Sequence, residues 1–333
     1  MKPLRFAWVG FHAEGGPAFE AIMQAGAPIH GVITLTPERR ARRSGAIDYA
    51  PLCARYRVPL HEIVDINGPD GLAALGAIRP DVAFVIGWSQ IVRPPALRLA
   101  RIGMIGAHAS HLPRYRGSAP VNWALIKGET ETGNSLIWLA EGVDRGAVID
   151  QVAFSITPYD TVASLYDQVA TSNRDMLRRL VPRLLAGERP GRPQPASEHP
   201  ELPRRRPADG VIDWSRPSRE VYDFIRALTR PYPGAFSWLD GTRWTVWQAA
   251  LLLSGNGTTA LVEPGTVLGP LVSPVPEACG QMVACGDEEE GGKGVVVLLE
   301  LEQEDGTILR GRDLSDQLWT GRMWTSVDEH ALA

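Results

Sequence analysis

Residues 4–108 alternate short apolar runs with helix-like segments, and this alternation limits the fold more than any other feature of the sequence. The runs are continuous and rich in β-branched residues, as in strands that are buried on both faces of a parallel sheet. The pattern predicts a doubly wound α/β domain with a mostly parallel sheet. The predicted strands cover residues 4–9, 29–35, 60–63, 82–86 and 103–108, and the predicted helices cover residues 17–24, 50–56 and 72–78.

A second domain is predicted after a segment rich in proline and glycine. The sequence GERPGRPQP at 187–195 follows a long helix-like segment and is typical of an extended linker. Beyond it, residues 218–228 predict an amphipathic helix, and short strand-like runs predict a small β-barrel. We therefore expect a first domain at 1–186, a linker at 187–208 and a barrel domain at 209–333. The barrel strands are predicted at 235–239, 243–248, 265–268, 282–285, 294–301 and 307–309, with the acidic stretch 287–292 as a hairpin tip.

The charge of the chain is divided unevenly. From Asp209 to the end there are 9 Lys and Arg against 19 Asp and Glu, a net charge of −10, whereas residues 1–208 carry +6. Such an acidic second half repels phosphate backbones, and it makes the chain a poor candidate for wrapping nucleic acid.

Three cysteines, Cys53, Cys279 and Cys285, are widely spaced and show no paired metal-ligand spacing. This usage favours a reducing compartment and no structural zinc. No apolar run approaches the ~20 residues of a membrane span. The expectation is a cytoplasmic protein with no membrane contact.

His108 lies where a predicted strand gives way to a loop, and ligands of open α/β sheets bind at the carboxyl ends of strands. A carboxylate, Asp144, follows within the sequence EGVDRG at 141–146. Together they could hold an imidazole protonated or oriented near a reacting carbonyl. Their spacing alone is weak evidence, because a solitary histidine beside a turn aspartate is more often structural. A metal site would need a third ligand, for which His111 or His12 would serve, but none of the usual ligand spacings occurs.

The loops around His108 and Asp144 carry a resemblance to a known family. The segments HASHLPRYRG, APVNWA, GETETG and EGVDRG, at 108–117, 119–124, 128–133 and 141–146, resemble the formyltransferases that use 10-formyltetrahydrofolate. In the second half, IDWSRP, RALTRPYPGAF and PGTV resemble the carboxy-terminal barrel domain of that family. The family includes methionyl-tRNA formyltransferases, sugar N-formyltransferases and the hydrolase domain of formyltetrahydrofolate dehydrogenase. In motif, the chain is most similar to the sugar N-formyltransferases.

The resemblance implies a Rossmann-like catalytic domain, an OB-like barrel and a set of site residues. His108 and Asp144 match the catalytic pair, which would stabilise the oxyanion that forms when an amine attacks the formyl carbon. The folate cosubstrate, 10-formyltetrahydrofolate, is expected to need no metal. The residues predicted to contact it are Trp88, Ser89, Gln90, Ile91, Leu139 and Gly142, although Trp88 could also serve packing alone. The residues predicted to contact the other substrate are His12, Ser110, Arg114, Arg116 and Gly117.

Gly106 departs from the family pattern. Most members read Asn-x-His where this chain has Gly106-Ala107-His108, so the amide that helps to hold the formyl oxygen is absent. Three hypotheses follow: a water or substrate group donates instead, another protein group donates, or the chain is a repurposed homologue. Structurally, the glycine could simply permit a close backbone approach at the strand end.

The formyl acceptor is left open between a small amine and tRNA. The basic loop RRARRSG at 39–45 lies where methionyl-tRNA formyltransferases grip the acceptor stem, but it could equally be a solvated loop. Against tRNA stand the acidic second domain and the amino-sugar-like motifs. We predict an N-formyltransferase for a small amine, acting as a monomer or homodimer. The alternatives are a methionyl-tRNA formyltransferase, a formyltetrahydrofolate hydrolase and a non-catalytic folate-binding homologue.

Overall fold

A computed structural model describes residues 3–197, 199–252, 262–287 and 293–327. The described helices are α1 (Gly16–Gln24), α2 (Pro37–Arg40), α3 (Ala50–Tyr56), α4 (Pro69–Ile78), α5 (Pro94–Leu97), α6 (Pro120–Ile126), α7 (Val162–Leu185), α8 (Ser218–Leu228) and α9 (Gly311–Ser315). The strands of the first sheet are β1 (Phe6–Val9), β2 (Ile29–Leu35), β3 (Leu60–Ile63), β4 (Val82–Val85), β5 (Gly103–His108), β6 (Glu131–Trp138) and β7 (Val148–Ser155). Those of the second are β8 (Ala235–Leu239), β9 (Thr242–Leu252), β10 (Val267–Leu271), β11 (Gly280–Asp287), β12 (Lys293–Gln303), β13 (Ile308–Arg310) and β14 (Trp324–Thr325).

The first sheet has the strand order β3-β2-β1-β4-β5-β6-β7. Strands β1 to β5 pair in parallel, whereas β6 and β7 add two antiparallel strands at one edge. The predicted doubly wound, mostly parallel domain is therefore confirmed. Strands β6 and β7 were not predicted, because β6 buries the polar run Thr132 to Ser135 and so lacks the apolar pattern of a strand.

Two apolar clusters cover the two faces of this sheet. Along β1, Phe6 and Trp8 pack into one cluster, while Ala7 and Val9 pack into the other. The first cluster includes residues of α1 and α7, and the second includes residues of α4. Successive side chains of a strand point to opposite faces, and both faces of this sheet are buried. The sequence of each strand is therefore an unbroken run of apolar residues.

A proline lies in the first turn of each helix from α1 to α6. Its fixed φ suits the start of a helix, where its missing N–H leaves no hydrogen bond unmade. These prolines fix where each loop at the sheet edge ends.

The second sheet is antiparallel, with the strand order β10-β11-β12-β9-β8-β14 and β13 paired to β12. A bridge between Thr266 and Met323 joins the two ends of this order, and the N–H of Val267 donates to the carbonyl of Arg322 at 2.8 Å. The sheet therefore closes on itself, in agreement with the predicted barrel. Residues 288–292, predicted as a hairpin tip, lie outside the described residues.

The chain forms two compact units. The first contains Met1–Val121, Thr130–Ile156 and Ser164–Arg204, and the second contains Asn122–Glu129, Thr157–Ala163 and Arg205–Ala333. Residues 187–204, predicted as part of a linker, group with the first unit, where Arg192 exchanges backbone hydrogen bonds with Val148. The domain bounds 1–186 and 209–333 stay a prediction. In the described part of the chain, no helix combines the length and the apolar character needed to cross a membrane.

Candidate active site

The register of three parallel strands sets the positions of the candidate residues. Val9 of β1 pairs with Val85 of β4, and Val85 pairs with Gly106 of β5, so the three residues form one row across the sheet. Because β1, β4 and β5 run parallel, the loops that follow them leave the sheet at one edge. His108, at the end of β5, lies two residues beyond this row.

The imidazole of His108 is held at both ring nitrogens. Its Nε2 lies 2.7 Å from the carbonyl oxygen of Tyr115, and its Nδ1 lies 3.4 Å from Oδ2 of Asp144. A carbonyl oxygen only accepts, so Nε2 must carry a hydrogen. The buried ring is thus oriented from both sides, by a carbonyl oxygen and by a carboxylate.

Asp144 is fixed by its own loop and by the loop after His108. Its Oδ2 accepts a hydrogen bond from the N–H of Gly117 at 2.9 Å, and its backbone has a φ of 52°. A positive φ is uncommon outside glycine, and such strained residues cluster at functional sites. Gly117 itself has a φ of 107°, and a Cβ there would lie 2.5 Å from the carbonyl oxygen of Leu202. Only glycine fits this close approach without a shift of backbone.

Gln194 ties the two loops together, although the sequence placed it in a linker. Its side-chain amide donates to the carbonyl oxygens of Asp144 at 2.7 Å and Gly146 at 2.8 Å. Its Oε1 accepts two hydrogen bonds from the guanidinium of Arg116, at 3.1 Å and 2.6 Å. This role could not be predicted, because a glutamine between two prolines of a predicted linker resembles any solvated residue.

The residues of the loop after β5 differ in what they can offer a substrate. Ser110 is fully buried, and its hydroxyl donates to the carbonyl of Arg114 at 2.7 Å. Arg116 is also buried, against Gln194. The guanidinium of Arg114 lies over the ring of Tyr115. Ser110 and Arg116 thus shape the loop, and their predicted substrate contacts stay predictions.

Leu139 fills the space beside Gly106. A Cβ at position 106 would lie 2.6 Å from Cδ2 of Leu139 and 3.3 Å from its Cγ. A larger residue at 106 would therefore require Leu139 to move. The Leu139 side chain therefore occupies space that an asparagine at position 106 would need.

The loop after β4 carries the residues predicted to line a folate pocket. Within the described residues, the indole Nε1 of Trp88 is buried without a hydrogen-bond partner, and the ring packs edge-on against Phe11 at 5.7 Å between centroids. Gln90 is occupied by the backbone, since it accepts from the N–H of Ile66 and donates to the carbonyl of Val64. Ser89 and Ile91 are exposed. Among the side chains of this loop, Trp88 therefore offers a buried donor without a partner.

His12 and Glu14 form a second, mostly buried pair at the same sheet edge, on the loop after β1. Nδ1 of His12 lies 3.5 Å from Oε2 of Glu14 and accepts a hydrogen bond from the Glu14 N–H at 3.3 Å. Burial lowers the pKa of His12 from 6.5 to about 4. Burial raises the pKa of Glu14 from 4.5 to about 7, against the opposing hydrogen bond from the backbone of Gly87. At neutral pH His12 is neutral, and Glu14 is poised between its two forms.

Metal ligation finds no support in the part of the chain that the structure describes. There, no group of three or more His, Cys, Asp or Glu side chains is placed to hold a metal ion.

A histidine and aspartate pair lies at the edge of the mixed sheet in the first unit, and the antiparallel sheet of the second unit closes on itself. The chain belongs to the formyltransferase family: residues 65–181 match the model for formyl transferase, and residues 205–317 match the model for its C-terminal domain. The resemblance found in the sequence is confirmed.

A similar protein of known name is the methionyl-tRNA formyltransferase of Symbiobacterium thermophilum, which is 33% identical over 287 residues, or 85% of each chain. Among solved structures, an N-formyltransferase from Helicobacter canadensis, in complex with folinic acid and dTDP-3-aminofucose, has a TM-score of 0.62 at 16% identity and covers 89% of this chain and 99% of its own. HypX from Aquifex aeolicus, in complex with tetrahydrofolic acid, has a TM-score of 0.60 at 18% identity. The match with HypX covers 93% of this chain and 46% of the HypX chain. These structures share the fold.

Removing the amide of Gln194 tests its role between the loops. We expect Gln194→Ala to lower the kcat for formyl transfer by about 10- to 100-fold, because small misplacements of reacting groups are costly. Gln194→Glu, which can still accept from Arg116 but cannot donate to the Asp144 loop, should show most of this loss. Gln248→Ala, at an exposed position of β9, is the matched control. A kcat equal to that of the unmodified enzyme in both Gln194 variants would contradict this role.

The opposite pKa shifts of His12 and Glu14 predict a pH dependence of stability that only single variants reveal. Glu14 has a raised pKa, so its contribution to the stability of the folded state is present below pH 4.5 and is lost as the pH rises to about 7. His12 has a lowered pKa, so its contribution to that stability is present above pH 6.5 and is lost as the pH falls to about 4. Between pH 4.5 and 6.5 the contributions of Glu14 and His12 to the free energy of unfolding change with pH in opposite directions, so they cancel in the unmodified protein.

Urea unfolding between pH 5 and 6.5 measures these slopes. Relative to the unmodified protein, Glu14→Gln leaves His12 uncompensated, and the free energy of unfolding should rise with pH by about 1.4 kcal/mol per pH unit. His12→Gln leaves Glu14 uncompensated, and the slope should have the opposite sign. Equal slopes in the two variants would show that the pair does not titrate as described.

Proposed function

We propose that this formyltransferase moves the formyl group of 10-formyltetrahydrofolate to the amine of a small molecule. The observation that carries the proposal is the position of His108, held between the carbonyl of Tyr115 and the carboxylate of Asp144 at the carboxyl edge of the sheet. The family assignment supports the reaction class, and the acceptor is inferred from this chain's own charges and loops.

The loop after β4 fits a folate. The buried and unsatisfied Nε1–H of Trp88 could donate to an acceptor atom of a pterin. Ser89, Ile91, Leu139 and Gly142 would complete the pocket. A bound 10-formyltetrahydrofolate would supply an activated formyl carbon.

His108 and Asp144 would act on the formyl group during the transfer. The contact of Nδ1 with Asp144 is longer than that of Nε2 with the carbonyl of Tyr115, so the Nδ1 side of the ring is less firmly engaged. A ring N–H there would stabilise the oxyanion. Asp144 orients the ring, and the N–H of Gly117 keeps Asp144 in place. In this chain His108 would carry more of the stabilisation, because Gly106 offers no side-chain amide.

A small amine is the acceptor that the charges favour. The net charge of −10 from Asp209 onward opposes the binding of a long phosphate backbone. The loop after β1 places an ionisable carboxyl, Glu14, beside the loop that would bind folate. A carboxylate suits an ammonium group. A cytoplasmic location and a monomeric or dimeric state stay predictions from the sequence.

A second candidate function, transfer to an aminoacyl-tRNA, is favoured by one cluster of arginines. Arg43 lies near Arg39 and Arg204, and burial together with these two charges lowers its pKa. Arg40 and Arg43 also line a cavity of about 410 Å³, where Arg40 is paired with Asp48 and Glu62. Like charges held together are stabilised by an anion, and tRNA phosphates would provide one.

The test of the proposed function is the release of tetrahydrofolate from 10-formyltetrahydrofolate with and without an acceptor. The panel contains amino sugars, hydroxylated amino acids and charged initiator tRNA. We expect release to depend on a small amine and to fall ~10²–10⁴-fold in His108→Ala and Asp144→Asn. His111→Ala, on the exposed part of the same loop, is the matched control. Equal release without any amine would instead identify a hydrolase, and folate binding without turnover would identify a binding homologue.

The arginine cluster separates the two acceptor classes. We expect Arg39→Ser/Arg43→Ser to leave kcat/KM for the small amine unchanged, because that substrate does not need a phosphate contact. The exposed Arg310→Ser variant is the control for loss of charge. A strong loss of transfer to charged tRNA in the double variant, steeper at low salt, would support the second candidate function.

A further inference from the structure

The loop after β1 brings two titratable side chains against the loop after β4. Gly87 lies at the contact, with a φ of 64°. A Cβ at position 87 would lie 2.8 Å from the Cβ of His12 and 3.3 Å from the Cγ of Glu14. The side chains of His12 and Glu14 therefore take up the space that a side chain of residue 87 would fill.

The same sheet edge places this pair two strands away from His108. Since Val9, Val85 and Gly106 form one row, Phe11, Gly87 and His108 each lie two residues beyond that row. Neighbouring strands are ~4.8 Å apart, so the backbones at Phe11 and His108 are separated by roughly 10 Å. Gly87 lies between them, and the side chains of His12 and Glu14 occupy the place of its missing side chain. The side chain of Glu14 therefore lies against the loop of β4, the strand that neighbours the one ending at His108.

The loop that carries Glu14 is held rigidly. The N–H of Ala13 donates to the carbonyl of Gly45 at 2.9 Å, and the N–H of Ile47 donates to the carbonyl of Phe11 at 2.8 Å. A Cβ at Gly45 would lie 2.0 Å from Nε2 of His12, so this glycine makes room for the imidazole. A carboxyl group that is mostly buried and fixed in this way can act at a defined position.

Aromatic rings pack around His12. The ring of Tyr166, on α7, lies 5.1 Å from the imidazole of His12, and Phe11 packs against Trp88 and His12. Aromatic faces attract cations, and a carboxylate attracts an ammonium group. Both features of this loop suit a protonated amine.

From this geometry we propose that Glu14 is the base that removes the proton from the ammonium group of the acceptor, and that His12 fixes the backbone at Glu14 by accepting its N–H at Nδ1. The inference rests on the proposed N-formyl transfer and goes beyond it by naming the residue that makes the amine nucleophilic. His12 acts through Glu14 and is a positioning residue.

The proton balance of the step is complete. The acceptor R–NH₃⁺ gives one proton to the carboxylate of Glu14 and becomes R–NH₂. The nitrogen lone pair then forms a bond to the formyl carbon, and the bond from that carbon to the folate nitrogen breaks. The folate nitrogen takes a second proton from the former amine. The products are R–NH–CHO and tetrahydrofolate, and Glu14 returns its proton to water.

The surroundings of Glu14 suit this role. Its pKa of about 7 lets it accept a proton near neutral pH. The titratable groups that face it are His12 on its own loop and Tyr49 at the start of α3. His12 stays neutral and Tyr49 keeps its proton at pH 7, because burial lowers the pKa of the first and raises that of the second. Glu14 is thus the member of this group that changes charge near pH 7.

The test compares Glu14→Gln with the unmodified enzyme and with Glu20→Gln, the same change at a carboxylate of α1 that pairs with Arg55. The acceptors are the ammonium substrate that supports transfer in the panel above and hydroxylamine, which is neutral at pH 7. Binding of 5-formyltetrahydrofolate reports whether the variant retains its folate site. The readout is kcat/KM for each acceptor between pH 5.5 and 9.

We expect Glu14→Gln to lower kcat/KM for the ammonium substrate at pH 7 by ~10²-fold or more, while folate binding and transfer to hydroxylamine are retained. The kcat/KM of the unmodified enzyme and of Glu20→Gln should fall as the pH drops below 7, because Glu14 becomes protonated. This fall should be absent from the pH profile of Glu14→Gln. Glu14→Asp, which keeps a carboxylate, should recover part of the rate.

An equal loss with both acceptors would assign Glu14 a structural role and overturn the proposal. So would an unchanged pH profile in Glu14→Gln. Failure of the unmodified enzyme to transfer to any amine would overturn the proposed function itself, and with it this inference. Normal transfer by the unmodified enzyme, together with an unaffected variant, would overturn this inference alone.

Discussion

The parallel register of β1, β4 and β5 is the constraint on which the candidate site depends. Each strand is short, and Val9, Val85 and Gly106 lie side by side. The next residues of all three strands therefore enter the same space, although they are far apart in sequence. A shift of one residue in any strand would turn its side chains to the opposite face and would disperse the site. The apolar clusters on both faces of the sheet, which fix this register, are thus a condition for the chemistry as well as for stability.

Much of the first domain could be predicted because its strands are buried on both faces and therefore consist of apolar runs. The predicted runs at 29–35, 60–63 and 103–108 coincide with β2, β3 and β5. Strand β6 escaped prediction for a physical reason. It buries polar side chains, such as Asn134, whose amide donates to Ser172 and Asn173, and a buried polar strand lacks apolar periodicity.

The candidate site was predictable at His108 and Asp144, where motifs carried the family resemblance, and the structure brings the two together. The contribution of Gln194 was not predictable, because it depends on a chain segment folding back over the loop that holds Asp144. Glu14 stood beside a predicted residue, His12, yet its significance comes from burial, which no local pattern reveals. Residues that act through tertiary contacts lie beyond what a single sequence contains.

The bridge between Thr266 and Met323 has a consequence for association. An open sheet presents unpaired N–H and C=O groups at its end strands, and these can recruit a strand from another molecule. Closing the ring pairs the two end strands of the second sheet with each other, and β13, which pairs with β12 alone, has only three residues. In the first sheet, Arg192 occupies backbone groups of Val148 at the β7 edge, and the Leu60–Ile63 strand at the other edge has only four residues. Association by strand addition is therefore disfavoured along the described edges, and a dimer would have to form through side chains.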